Sequence, residues 1–253
     1  MAAGDLDALQ QRLRSLRPLT PDQVVALRGM LEGDEIEAVY ASNAIEGNTL
    51  TLGETALVIQ HGITVSGKPL KDHLEALDHI EALRFVEELI GTPPLTQRTL
   101  REIHALVMRR SRPEAAGRYR DIPVAIAGTE DMPPPPVLVP EKMDAVFAAY
   151  ESRRDAEHPA VVAADLHQGI VDVHPFEDGN GRTARLAMNL HLLQRRFPLT
   201  IIDPKDRQSY IEAIAAVQQG VDTEAFRSFV ISNVDRSLRR YLHALGEADT
   251  PSE

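Results

Sequence analysis

The sequence predicts a mainly α-helical protein, and three observations carry that expectation. Apolar residues recur at three- and four-residue spacing along most of the chain, which lines them up on one face of a helix. Proline, glycine and Thr or Asp residues fall where helices start and stop. Only one segment, between Asp121 and Pro140, alternates in the manner of a strand.

Taken in order, Ile36, Val39 and Tyr40 predict a helix from about Asp34 that ends at Gly47, a residue suited to a helix C-terminus. Thr51 and Glu54 form the pattern of a capping box and open the next helix. Leu77, Ile80, Leu83 and Val86 mark another, and Leu100, Ile103 and Val107 one that begins near Thr96. Ile122, Val124 and Ile126 then alternate with small residues, Gly128-Thr129 marks a turn, and Val137-Leu138-Val139 returns. Pro133 to Pro136 remove four backbone donors, so the expected element is an edge β-hairpin. Pro159 opens a helix carrying Ala163, Leu166, Ile170 and Val173. Gly179-Asn180-Gly181 launches the next, with Leu186, Leu190 and Leu193 on one face until Pro198 stops it. Tyr210, Ile214 and Val217 share a further helix. A last stripe, Phe226, Val230, Val234, Leu238, Tyr241 and Leu245, follows a cap at Asp222 or Thr223.

With 253 residues the chain can bury a substantial core. Its formal net charge of −11 argues against a nucleic-acid or anionic-membrane binder. It has no cysteine, which excludes disulfides, thiolate metal sites and cysteine nucleophiles. Residues 1–17 lack the apolar stretch of a secretory signal, and no stretch has the length of a transmembrane helix. The expectation is a soluble, cytoplasmic, bacterial protein.

The chemistry concentrates in His174-Pro175-Phe176-Glu177-Asp178-Gly179-Asn180-Gly181-Arg182-Thr183-Ala184-Arg185. A glycine turn opening a helix presents backbone N–H groups to an anion. Asp178 is a hard oxygen ligand of the kind Mg²⁺ takes when phosphates and water fill its other positions. Arg182 and Arg185 are three apart and can fork onto phosphate oxygens. His174 can accept a proton near neutral pH. Together these parts suit a nucleoside triphosphate.

This run resembles the signature of the Fic family, H-x-F-x-[DE]-G-N-G-R-x-x-R, at every specified position. The resemblance implies a Fic-type helical bundle with a short β-hairpin flap over the active site, and residues 117–120, Gly-Arg-Tyr-Arg, resemble the segment leading into that flap. It also implies a protein adenylyltransferase, which moves AMP from ATP onto a Ser, Thr or Tyr hydroxyl of a target protein. His174 is then the general base, and Asp178 holds Mg²⁺ (or Mn²⁺). Gly179, Asn180 and Gly181 cradle the phosphates, and Arg182 and Arg185 grip them. Tyr210 stands either against the adenine or in the core, two readings of equal weight. Self-modification and a homodimer are compatible with the resemblance.

A second segment, Ser42-Asn43-Ala44-Ile45-Glu46-Gly47, resembles the inhibitory motif [ST]-x-x-x-E-[GN] of self-restrained Fic proteins. A carboxylate at a helix C-terminus opposes the macrodipole unless a cation answers it. The resemblance supplies that cation: Glu46 pairs with Arg185 and takes the place of the ATP γ-phosphate, with Ser42 as the other fixed position. Residues 1–95 would then be a regulatory helical region and 96–253 the catalytic core. Many bacterial relatives add a winged-helix domain, and the animal endoplasmic-reticulum member an anchor and repeats; neither is expected here. Removal of AMP through Glu46, transfer of another group such as UMP or phosphate, and a catalytically silent ATP-binding module are the alternatives. His167 and His174 are seven apart with no H-E-x-x-H pattern, and no phosphate loop or dinucleotide fingerprint is present.

Overall fold

The computed structural model describes residues 3–125 and 132–247. They form α1 (Ala3–Ser15), α2 (Pro21–Ile45), α3 (Leu52–His61), α4 (Leu70–Glu88), α5 (Gln97–Val107), α6 (Val139–Arg153), α7 (Pro159–Val173), α8 (Asn180–Gln194), α9 (Arg207–Gln218) and α10 (Ala225–Ala244), with 3₁₀ turns at Pro136–Leu138 and Pro204–Asp206. α7 and α8 pair at the centre. α6 and α10 pack on α7, α4 and α5 on α8, and α2 crosses α4, α10 and α8. The central pair is buried on nearly all sides, from Ala160 through Val173 and from Asn180 through Leu192. The run from His174 to Arg185 spans the turn between these two helices and the start of α8.

Several elements follow the sequence closely. Thr96 caps α5, accepting from the Thr99 N–H at 3.2 Å, and Thr51 and Glu54 form the reciprocal capping box of α3. Pro159 sits in the first turn of α7.

Three expectations are corrected. No strand occurs among the described residues, so the β-hairpin flap is not supported. Ile122 and Val124 are non-helical and non-strand, and Val137-Leu138-Val139 winds through a 3₁₀ turn into α6. The proline run explains it: fixed φ and missing donors suit the first turn of a helix better than a ladder. Ile126 and the Gly128-Thr129 turn lie outside the described residues. α2 starts at Pro21, well before Asp34, behind a Thr20–Gln23 capping box. Its early apolar residues Val24, Val25 and Leu31 are exposed, so they gave no buried-face signal. α10 has no side-chain cap from Thr223, while Asp222 Oδ1 accepts from the Glu224 N–H at 2.9 Å. α1, for which the sequence carries no clear spacing signal, packs on α10, and its Leu6 is fully buried.

The core also holds histidines that the sequence left without a role. Burial pushes His104 and His191 down to about 4 from the ordinary 6.5. Both are neutral when folded and protonate on unfolding below pH 6.5, so the unfolded state binds more protons and stability rises with pH through that window. The expected result is stability that is full above pH 6.5 and falls towards pH 4, by on the order of 3 kcal/mol for each group. Urea midpoints at pH 7.5 and pH 5 check it; equal midpoints would contradict it.

Candidate active site

His174 ends α7 in the left-handed region, with φ 48° and ψ 60°, and its N–H donates to Ile170 O at 2.9 Å. That conformation is uncommon without glycine and turns the chain sharply out of the helix. Arg120 holds the turn from outside. Its Nε donates to His174 O at 2.7 Å and one Nη to Pro134 O at 2.6 Å, while its backbone N–H donates to Pro175 O at 2.9 Å. His174 Nδ1 is buried on the Val171 side of the turn, which leaves Nε2 as the nitrogen available to a substrate. Burial lowers the pKa of the ring, and Arg120 adds to that; the Val171 carbonyl, Glu46 and Asp178 act the other way.

Phe176 is fully buried and stacks on His104 with ring centroids 3.6 Å apart. The Gly117 N–H donates to His104 Nδ1 at 2.9 Å, so the proton is on Nε2, which donates to Asp178 O at 3.0 Å. One neutral histidine thereby ties α5, the segment after it and the motif turn together.

The Gly-Asn-Gly turn divides its labour. Gly179 is the N-cap of α8 with φ 75°, and a Cβ there would meet Met108 Sδ at 2.7 Å. The Asn180 side chain turns inward, accepting from Phe176 N–H and donating to Phe176 O, each at 2.9 Å. Its amide therefore shapes the loop, and only its backbone N–H can serve an anion. At Gly181 a Cβ would sit 2.3 Å from Glu46 Oε1, so glycine here admits the carboxylate to the start of α8.

Asp178 Oδ1 accepts from the Gly179 N–H at 2.6 Å, and Arg182 stands 3.6 Å away. Oδ2 has Arg112 at 3.8 Å. Among the described residues no group of three or more His, Asp or Glu side chains could hold a metal by itself. A lone, partly exposed carboxylate fits Mg²⁺ only as an ion bound largely by a ligand's phosphates and water.

The two arginines differ from one another. Arg182 is 2% exposed and lies between Glu75 at 3.3 Å and Asp178, with Nε and Nη1 left without a hydrogen-bond partner. Arg185 is also buried, and α2 takes most of its donors. Nε donates to Ser42 Oγ at 2.9 Å, one Nη to Ser42 O at 2.9 Å and Glu46 Oε1 at 2.8 Å, and the other to Tyr210 Oη at 3.1 Å. Tyr210 in turn donates to His167 Nε2 at 2.9 Å, among Phe226 and Phe229. It is 4% exposed, which favours the core reading over an adenine platform.

Sequence reasoning missed the supports of Glu46. Arg207 Nε donates to Ile45 O at 2.8 Å, so two arginines answer the carbonyls at the α2 C-terminus. Gly47 turns the chain with φ 94°. Asn48 and Thr49 then bond Asp72 and Glu75 on α4. Arg112, His104 and Glu75 were also missed, since none carries a local spacing signal.

Residues 94–192 match the model of the Fic/DOC family. The chain is 35% identical over 241 residues to Protein adenylyltransferase Fic of Nematostella vectensis, covering 94% of this chain and 55% of that protein. It spans about half the length of the curated relatives it matches. Among solved structures, a Fic-1 fragment from C. elegans superposes with TM-score 0.84 at 30% identity, over 96% of this chain and 70% of that one. A Fic domain containing signaling protein from Bacteroides thetaiotaomicron superposes with TM-score 0.86 at 28% identity, over 98% and 99%. The expected bacterial source is left in doubt, because the curated relatives that the chain resembles include proteins of several animals, while the similar solved structures include both animal and bacterial proteins. No helix among the described residues is long and apolar enough to cross a membrane. On the complete motif, the shared fold and these likenesses, the chain belongs to the Fic/DOC family.

Proposed function

We propose that this chain is a protein adenylyltransferase held in check by its own Glu46. The observation that carries the reading is the position of the Glu46 carboxylate: 2.8 Å from Arg185 and in van der Waals conflict with any side chain at Gly181. A carboxylate therefore stands at the N-terminus of α8, where the helix favours an anion. ATP would bring its own anions to the same place, and the two compete for one arginine.

In the transfer, the target hydroxyl attacks the α-phosphorus of ATP. A new O–P bond forms, the bond to the β-phosphate bridging oxygen breaks, and pyrophosphate leaves. His174 Nε2 takes the hydroxyl proton. The free N–H groups at the start of α8 orient the phosphates, and Arg185 serves them once Glu46 has withdrawn. Asp178 would hold Mg²⁺ (or Mn²⁺), which neutralises charge on the phosphates when bound. Residues 1–95 supply the restraint and 96–253 the reaction. Self-modification, a homodimer and a cytoplasmic setting accompany this reading as proposals.

Relatives named adenylyltransferases support the activity, and ATP carrying label in either the α- or the γ-phosphate tests it. Protein should gain label from the α-phosphate alone; label from the γ-phosphate would mean phosphate transfer. Asp178→Ala should shift the Mg²⁺ titration to higher concentration, and an unchanged titration would remove Asp178 as the ligand. A second reading keeps the site and reverses its direction. The Glu46 carboxylate partly opposes the lowering of the His174 pKa by burial, as expected of a carboxylate near enough to the base to position an attacking water. Release of AMP from a modified target, lost in Glu46→Gly, would favour it.

A further inference from the structure

Away from the α8 N-terminus, a cavity of about 840 Å³ opens between α1, α2, α10 and the end of α8. Its size falls in the range of small-molecule sites. Its walls are mainly apolar, with Leu27 and Leu31 from α2, Ile90 after α4, Leu193 and Phe197 at the end of α8, and Leu245.

Charge is distributed unevenly around it. The carboxylates that line it are on α2 and α4. Asp34 bonds the Tyr241 hydroxyl at 2.8 Å and pairs with Arg240 at 3.0 Å, and Glu35 pairs with Arg84 at 3.2 Å. Burial raises the Glu87 carboxyl. The arginines that line it are Arg14 on α1, Arg17 just after it and Arg196 just after α8. Among the described residues none of these three has a carboxylate within ion-pair distance, in a chain with a net charge of −11.

Arg196 adds an independent sign. α8 ends in a Schellman turn, in which Phe197 N–H donates to Leu192 O at 3.0 Å and Arg196 N–H to Leu193 O at 2.9 Å. Arg196 has φ 65°, at the position where glycine is the ordinary residue. The fold holds a strained arginine at the rim of an apolar cavity, where a glycine would serve the turn better.

We propose that this cavity is a second binding site, for a medium-chain alkyl carboxylate whose tail lies along α2 and whose head meets Arg17 and Arg196. A planar guanidinium fork matches a carboxylate, and a singly charged head suits an acidic chain better than a phosphate does. The inference does not depend on the reaction at His174.

Isothermal titration of the full chain with decanoate tests it, with decanol, acetate and decyl phosphate as comparisons. Decanoate should bind, and decanol and acetate should bind at least about tenfold more weakly, since each lacks half of the recognition. Arg196→Gly should weaken decanoate about tenfold while raising the midpoint of thermal unfolding. A merely structural arginine would not give that combination. Arg17→Ala should weaken binding similarly with an unchanged melt. Absent decanoate binding below millimolar concentration, equal binding of decanol, or affinity unchanged in both variants would each overturn the proposal. Tighter binding of decyl phosphate would overturn the head-group assignment.

Discussion

Replacing His174 by alanine is expected to slow AMP transfer by about 10²–10⁴-fold while ATP binding stays close to normal. The expectation rests on a division of labour visible in the turn. The N–H groups proposed to meet the phosphates belong to α8, whereas His174 caps α7 and would contribute only its ring. A general base acts when the hydroxyl attacks, so its removal falls on the chemical step and spares binding. The backbone needs a control. His174 has φ 48°, a conformation that alanine adopts with strain and asparagine tolerates better. His174→Asn should therefore match the alanine variant in its loss of transfer and exceed it in thermal stability. Burial lowers the pKa of this base, so the rising limb of the pH profile should lie below the ordinary histidine value of 6.5. Wild-type turnover in either variant would remove His174 from the reaction.

The sequence made the motif and the central helices readable because both are local. Periodicity identifies α7 and α8, a glycine turn marks the join, and the chemistry-bearing side chains lie within twelve residues. Roles that depend on distant partners were not readable in that way. Asn180 looked like a phosphate ligand, yet its amide closes on Phe176 four residues back. Arg182 looked equivalent to Arg185, but the helix turns one towards Glu75 and the other towards Ser42 and Glu46. His104, isolated in the sequence, becomes the stacking partner of Phe176 only when α5 packs on α8. The strand signal failed for a different reason: alternating apolar residues in a proline-rich segment have too few donors to build a ladder, and part of that segment lies outside the described residues.

Glu46→Gly is expected to raise AMP transfer, and self-modification with it, by roughly tenfold to a hundredfold. A charge-assisted hydrogen bond to a buried arginine is worth on the order of 1.5–3 kcal/mol, which sets that range. The Glu46 side chain is 39% exposed, and solvent screening places the gain nearer the lower end. Arg185 does not lose its place when Glu46 goes. Ser42 Oγ, Ser42 O and Tyr210 Oη still accept from it, so the guanidinium stays beside the α8 N-terminus with one donor released. The fold should tolerate the change, because Glu46 caps the end of α2 outside the helix interior and a carboxylate that opposes the macrodipole is removed. Combining Glu46→Gly with Arg185→Ala separates release of the arginine from simple opening of space. If the arginine is what Glu46 withholds, the double variant should fall back to slow transfer; if transfer stays high, Glu46 restrains the enzyme by occupying volume alone. Unchanged or lower transfer in Glu46→Gly, across ATP and Mg²⁺ concentrations, would end the inhibitory reading and leave Glu46 either as a structural group or as the one that positions water for AMP removal.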